Sequence, residues 1–537
     1  MRMNLGEYQS DIEAVLPRLD AEKVIERIWE ADHTVWKPEP TEIANRLGWL
    51  TVTDTMRQRI PELQSFSQEI RQAGFQFIAL LGMGGSSLGP EVLRSVLGKR
   101  EGYPELIVLD SIDPDWIVQV QDRIDLNHTL FLVSSKSGTT IEPNLLYQYF
   151  RTKVESVVEK DRAGDHFVTI TDEGSPLVKK AKDEGFRRIF ENPSHIGGRY
   201  SVLSYFGLVP GALAGVDIPA LLDKADRMKD LCRVDSAKDN PGCLLGTIMG
   251  IMALKGIDKL TLATSPGLSR FGLWAEQLIA ESTGKEGKGI MPVAGEPLVD
   301  PQYYGEDRLF VFLRLKEDQN TEVDAAIKSI IDSGHPVVTI EMQDTCDLGA
   351  EFFRWEYAVP VAGSILKVNP FDQPDVQRSK DATGELVRTY EETGAFPNTN
   401  PGNSLADLLV ESKPGDYLAI MAYTAESEGM DAVIANFRQQ ILERYQIATT
   451  FGYGPRFLHS TGQLHKGGTP NGLFLQMTVD HDEDIPIPGK SYTFSQLTNA
   501  QAMGDLKVLQ QSGRKCARLH FSKKDGITIR SLADRLP

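Results

Sequence analysis

HTLFLVSSKSGTTIEPN, from His128 to Asn144, is the stretch that decides how this chain is read. An apolar run climbs into a cluster of hydroxyls around Lys136, and Gly138 marks a bend. An amphipathic helical pattern then begins at once (IEPNLLYQYF). A short continuous apolar run bounded by turn residues reads as a buried strand, and the pattern after it as a helix. The same pairing recurs on both sides. FQFIALLG, ELIVLDS, DHFVTITD and RRIFENP read as strands, with PEVLRSVLG and SPLVKKAKDEG as helices between them. Near-continuous apolar strands alternating with helices predict a parallel sheet covered on both faces. A second alternation begins near Asp258 with KLTLATS, RLFVFLRL and HPVVTIEM. It continues past a polar stretch, Thr393 to Ser404, into YLAIMAY, GLFLQMTV and CARLHFS. The expected class is α/β: two doubly wound parallel-sheet units and an α/β C-terminal extension. The expected parts are a helical N-terminal segment (1–48), a first unit (49–205), a second unit (206–395) and an extension (396–537) packed on the second.

Composition narrows the function. The 537 residues carry a formal charge of −18, which argues against a nucleic-acid partner, because phosphate backbones require clustered Lys and Arg. No apolar run reaches the roughly 18 residues needed to cross a bilayer, and MRMNLGEYQSDIEAV does not read as a signal peptide. Cys232, Cys243, Cys346 and Cys516 lie far apart without paired spacing, which suggests neither a zinc site nor a disulfide framework. The expected location is the reducing cytoplasm.

In open parallel sheets ligands sit beyond the carboxyl ends of the strands. Lys136 and its hydroxyls lie at such a place. So does LLGMGGSSLGPEVL, where Gly82, Gly84 and Gly85 follow a strand and Ser86 and Ser87 precede a helix. Glycines admit close backbone approach, helix N-termini favour anions, and hydroxyls and a lysine complete a phosphate-suited set. Packing turns and helix caps use the same residue types; two such turns on one sheet favour anion binding. The GxxxxGK[ST] spacing of triphosphate-binding loops is absent.

Three further stretches make the pattern specific: HIGGRYSVLS (His195 to Ser204), WAEQLIAESTGKEGKG (Trp274 to Gly289) and NPFDQPDVQRSK (Asn369 to Lys380). With GGSSLGP and SSKSGTT they resemble the phosphoglucose isomerase family, whose two sugar-isomerase (SIS) domains would account for the two α/β units. WKPEPTEIANRLGWL and the overall layout look most like the isomerase half of transaldolase–phosphoglucose isomerase fusions. The short N-terminal region could not hold a transaldolase barrel, so that activity is not expected.

The resemblance implies roles. Gly85 and Ser86 match the first sugar-phosphate loop; Ser135, Lys136, Ser137 and Thr140 match the phosphate-gripping loop, which Glu142 closes. Glu281 matches the catalytic base, with Gln277 one helical turn earlier, and Arg199 the arginine beside the reacting carbons. Lys380 matches the lysine that assists at the sugar ring. The ring-opening histidine is displaced: no histidine occurs between Ser282 and Gly334, whereas FLHSTGQLHKGG offers His459 much later, with His465 six residues on. His335 is the in-order competitor but lacks the motif. His195, His481 and His520 have no motif support and read as structural.

The implied reaction interconverts glucose 6-phosphate and fructose 6-phosphate, a step of glycolysis and gluconeogenesis, by proton transfer through a cis-enediol. A single carboxylate can serve both carbons, a partly apolar setting would tune it, and an arginine steadies the enediolate oxygen. Such chemistry calls for no metal and no organic cofactor. Taken singly, each charged residue is more simply a solvated side chain; together they favour an enzyme. A dual phosphoglucose/phosphomannose isomerase is the alternative enzyme, and a non-catalytic SIS sugar-phosphate sensor the alternative outside catalysis. The expected partner is a phosphorylated hexose. The resemblance also admits a homodimer that shares its site between subunits.

Overall fold

The computed structural model describes residues 1–398, 400–481, 483–522 and 527–536. Fourteen strands among them form three sheets: β1 (Arg2–Asn4), β2 (Phe77–Leu81), β3 (Glu105–Leu109), β4 (Thr129–Ser134), β5 (Phe167–Asp172), β6 (Arg188–Asn192), β7 (Lys259–Thr264), β8 (Met291–Ala294), β9 (Arg308–Leu315), β10 (Val337–Met342), β11 (Tyr417–Tyr423), β12 (Ala448–Tyr453), β13 (Gly472–Val479) and β14 (Lys515–Phe521). The first sheet runs β3-β2-β4-β5-β6, the second β1-β10-β9-β7-β8 and the third β12-β11-β13-β14. Only β1 is antiparallel, lying along β10.

The three sheets share one winding rule. The first long strand of each unit lies inside, its successor pairs on one side, and the chain then crosses to the other side. That order creates a switch point, where neighbouring connections leave in opposite directions and a crevice opens. In the first sheet the switch lies between β2 and β4, whose ends are in register, Leu81 opposite Val133. Gly82 and Ser135 therefore emerge side by side. The two phosphate-suited turns of the sequence flank one crevice.

The strands read from the sequence are present. Every residue of β4 and β11 is buried, as continuous apolar runs between two helical layers require. Three strands were not foreseen. β1 is only three residues, so the segment expected to be helical opens with an edge strand. β8 contains Pro292 and follows a glycine-rich turn, and β12 (ATTFGY) has an internal Gly. Both weaken a strand signal.

We propose domain boundaries near residues 48, 205 and 395, which leave every sheet within one part except for β1. The C-terminal part touches both other units. Tyr453, Ile485, Tyr492, Phe494 and Leu497 join Phe131, Val133 and Phe150 of the first unit in one apolar cluster. Phe457, Leu464 and Phe474 join Ala280, Met291 and Val293 of the second. Among the described residues no helix is long and apolar enough to cross a membrane.

Candidate active site

A cavity of about 540 Å³ opens at the first switch point, within the usual range for small-molecule sites. Its floor is the Gly82–Ser87 turn. Gly84 has φ +55°, and a Cβ there would lie 2.7 Å from the His459 carbonyl oxygen. A Cβ on Gly85 would lie 2.0 Å from the Gly198 carbonyl oxygen. The glycines thus let two other backbone segments close on the turn, a reason distinct from the anion approach inferred from sequence.

Beside it the loop after β4 turns through Gly138, at φ +68°. Ser135 Oγ donates to Thr140 Oγ1 at 3.1 Å, and Asn144 Nδ2 donates to the carbonyls of Gly138 and Thr140. Lys136 Nζ is ion-paired with Asp172 and donates to the Ser194 carbonyl at 3.1 Å. Burial raises the Asp172 carboxyl pKa, against the lowering effect of the Lys136 ammonium.

The opposite wall comes from the helix Phe271–Thr283, buried all round from Trp274 onward. A carboxylate on such a helix needs a partner. Glu281 has one: its Oε2 lies 2.9 Å from Arg199 Nη1 and accepts from Gln277 Nε2 at 3.2 Å. The apolar setting expected for this carboxylate is therefore an ion-paired one. Arg199 is fixed in turn by the carbonyls of Asp372 (2.8 Å) and Pro370 (3.2 Å). Lys285, quoted in the sequence but assigned no role, anchors the same loop. Its Nζ donates to the Asn369 and Asp372 carbonyls, each at 2.6 Å, and to Asp372 Oδ1 at 2.7 Å. Burial, then the nearby Arg199 charge, lowers its pKa to about 8.

The displaced histidine arrives from its own chain. His459 ends a short 3₁₀ turn (Arg456–His459) at the carboxyl end of β12. Its carbonyl accepts from Gln277 Nε2 at 2.8 Å, and its Nε2 lies 3.0 Å from Glu142 Oε1. Gln501 Nε2 donates to the same Glu142 oxygen at 2.7 Å. Burial alone would raise the Glu142 carboxyl pKa, but the His459 charge and hydrogen bonds outweigh it and hold it below the ordinary value. Arg456 pins the turn to the first unit through Asp110, with Nη2–Oδ1 at 2.7 Å, and Ser87 Oγ donates to the other Asp110 oxygen. Neither Gln501 nor Arg456 stood out in the sequence.

Two sequence relatives decide what this arrangement belongs to. A glucose-6-phosphate isomerase of Staphylococcus epidermidis is 30% identical over 377 residues, covering 62% of this chain and 85% of the relative. A probable glucose-6-phosphate isomerase of Methanococcus maripaludis is 30% identical over 389 residues, covering 64% and 85%. The chain belongs to the phosphoglucose isomerase family. It is an aldose–ketose isomerase.

The profile described as phosphoglucose isomerase matches residues 50–291 of this family member. That span holds both turns, Arg199 and Glu281; Lys380 and His459 lie beyond it. The fold agrees with a solved glucose-6-phosphate isomerase from Chlamydia trachomatis. Its TM-score is 0.61 at 20% identity, over 71% of this chain and 86% of that one.

Gly85, Ser86, Lys136, Ser137, Thr140, Arg199, Gln277, Glu281 and Lys380 line the cavity. Ser135, Glu142 and the His459 side chain stand one layer behind it: Ser135 holds Thr140, and Glu142 holds His459. Gln373 of the NPFDQP stretch also lines the cavity, and so does His195, which reads as structural in the sequence. His335 is elsewhere, packed edge-on against Tyr304 and Phe310 at the start of β10. His465 is buried against Phe457 and Phe474.

Proposed function

We propose that this isomerase interconverts glucose 6-phosphate and fructose 6-phosphate through a cis-enediol(ate), in glycolysis and gluconeogenesis, and that it acts in the cytoplasm. The observation that carries the reading is the Arg199–Glu281 pair, which faces the same cavity as the Lys136 loop. The phosphate is taken by Lys136, Ser137 and Thr140, with Gly85 and Ser86 against the sugar. Glu281 is the base that moves the proton between C1 and C2. Arg199, held by two carbonyls, is a fixed cation for the developing enediolate oxygen, needing no reorganisation as charge develops. Lys380 and His459 open the sugar ring, with Glu142 orienting the imidazole from behind. His459 would have to turn or be joined by solvent to meet the ring oxygen, since its side chain is directed at Glu142.

All these groups come from one chain, so a homodimer, if it forms, need not share its sites. The deciding experiment is a coupled assay on fructose 6-phosphate and mannose 6-phosphate, with and without chelator. Turnover of the first alone supports this reading. Comparable turnover of both would mean a dual isomerase, and turnover of neither would leave a sugar-phosphate sensor.

A further inference from the structure

One cation on the cavity wall has no part in the mechanism set out above. Arg46 lies in TEIANRLGWL (Thr41–Leu50), and with Asn45 it lines the cavity beside Lys136, Ser137 and Asp172. The segment is held firmly. Ile43, Leu47 and Trp49 are buried; Leu47 pairs with Ile196 in an antiparallel bridge, and the Gly48 N–H donates to the His195 carbonyl at 3.0 Å. Asn369 Nδ2 reaches the Thr41 carbonyl at 3.5 Å. The segment is thereby stitched to the loop that carries Arg199 and to the loop that carries Gln373.

The charge balance gives Arg46 a task. A phosphate monoester carries about −1.5 to −2 charges at neutral pH. Lys136 is already matched by Asp172 and Arg199 by Glu281, and Lys380, the other cation on the wall, is assigned to the sugar ring. Arg46 rests on a weaker partner: its Nη2 and Nε both donate to one oxygen of Glu42, at 2.8 and 3.2 Å. Those side chains are 21% and 38% exposed, and such partly exposed pairs contribute little. The planar fork retains donors suited to phosphate oxygens. Arg46 also stands within electrostatic reach of Asp172, hence of the Lys136 ammonium.

We propose that Arg46 is a ligand of the substrate phosphate, leaving Glu42 on binding to close on it together with Lys136, Ser137 and Thr140. The N-terminal segment is then a working wall of the site. This inference rests on the hexose-phosphate reading of the cavity.

The test compares Arg46→Ala, Arg46→Lys and Glu42→Gln by calorimetry with sorbitol 6-phosphate, inorganic phosphate and unphosphorylated sorbitol, alongside fructose 6-phosphate kinetics. Arg46→Ala should weaken sorbitol 6-phosphate about tenfold to a hundredfold, the usual span for a charge-assisted hydrogen bond. Its KM should rise far more than its kcat falls. Arg46→Lys should recover part of the affinity, and Glu42→Gln, which frees the guanidinium, should bind as well as wild type or better. Unchanged phosphosugar affinity in Arg46→Ala would overturn the proposal. So would Glu42→Gln weakening binding as much as Arg46→Ala, because Arg46 would then merely brace its turn. If wild type binds sorbitol 6-phosphate but turns over no hexose phosphate, the isomerase reading fails and the calorimetric comparison still decides Arg46. If it binds none, both fail.

Discussion

Replacing Glu281 with Gln tests the centre of the mechanism, because the change keeps the side chain's shape and removes only its basicity. Glu281 is 9% exposed, with one oxygen 2.9 Å from Arg199 and 3.2 Å from Gln277. An amide there can still meet both neighbours but cannot take a proton from carbon. Loss of a general base costs roughly 10²–10⁴ in kcat, or about 2.7–5.4 kcal/mol of barrier at 1.36 kcal/mol per decade. Breaking a buried ion pair typically costs about 3–5 kcal/mol of stability. Arg199 keeps the Asp372 and Pro370 carbonyls, so a smaller loss of about 1–3 kcal/mol is expected. The fold should survive, and sorbitol 6-phosphate should bind nearly as before, since the phosphate loop is untouched. The assay is proton NMR of product formed in deuterium oxide: label should enter C1 or C2 with wild type and nearly cease with the variant. Glu281→Asp, whose carboxylate is set back by one carbon–carbon bond of about 1.5 Å, should fall between the two. A folded Glu281→Gln protein with kcat within tenfold of wild type and continuing exchange would refute the reasoning and send the search for a base elsewhere.

Lys136→Ala and Thr140→Ala should each weaken phosphosugar binding about tenfold to a hundredfold. Lys136→Ala should also lower the melting temperature, because it strands Asp172; unchanged calorimetric affinity in both would move the phosphate to another loop. His459→Ala should impair turnover of cyclic substrate more than of open-chain material, which needs no ring opening, and should do so more than His335→Ala or His465→Ala. Equal losses on both substrate forms would remove His459 from ring opening. The buried Lys285 has a folded-state pKa lowered from 10.5 to about 8, so between pH 8 and 10.5 the unfolded chain binds the extra proton and stability rises with pH. Relative to Lys285→Met, wild type should therefore gain in urea midpoint as pH climbs from 8 towards 10, and a constant gap would contradict the burial argument. Specific activity should stay constant on dilution to nanomolar protein, because one chain supplies every residue proposed for the site; a fall that tracks loss of a dimer by sedimentation would show that a second copy is needed.

What could be read in the sequence follows from where the determining contacts lie. β2 to β5 were legible because each is a nearly continuous buried run with its turn beside it, and β6, an edge strand that is only partly buried, through its place in the alternation. The switch-point crevice follows from their order, and with it the placing of the two phosphate-suited turns. Gly84 and Gly85 were legible as glycines with a purpose, but not which purpose, since the atoms that exclude a Cβ are carbonyls of His459 and Gly198. Glu281 could be singled out only through its motif: a carboxylate on an apolar helix does not announce an arginine 82 positions away. Lys285 escaped because its partners are mostly backbone carbonyls of the NPFDQP loop, which leave no trace in side-chain pattern. The least legible feature was the Glu142 cluster, whose members His459 and Gln501 lie 317 and 359 positions away and meet it only because a third sheet packs on the first.

That third sheet bears on how the site is built. β11 to β14 repeat the winding of the other two units, so their connections also emerge at carboxyl ends, and the one after β12 delivers the His459 turn. The turn cannot be a loose appendage. Arg456 places a buried cation between Asp110 at the end of β3 and Glu426, and removing Arg456 would leave Asp110 without its ionic partner inside the protein. Glu142 is likewise buried under the first unit, and its acceptor Oε1 is filled wholly by His459 and Gln501 from the C-terminal part. The apolar cluster around Phe131 and Phe150 needs Tyr453, Ile485 and Phe494 to close it. A chain stopped near residue 395 would thus lose its imidazole, strand two carboxylates and open an apolar face on the first sheet. The C-terminal part is bound to the site by charge, hydrogen bonding and packing together.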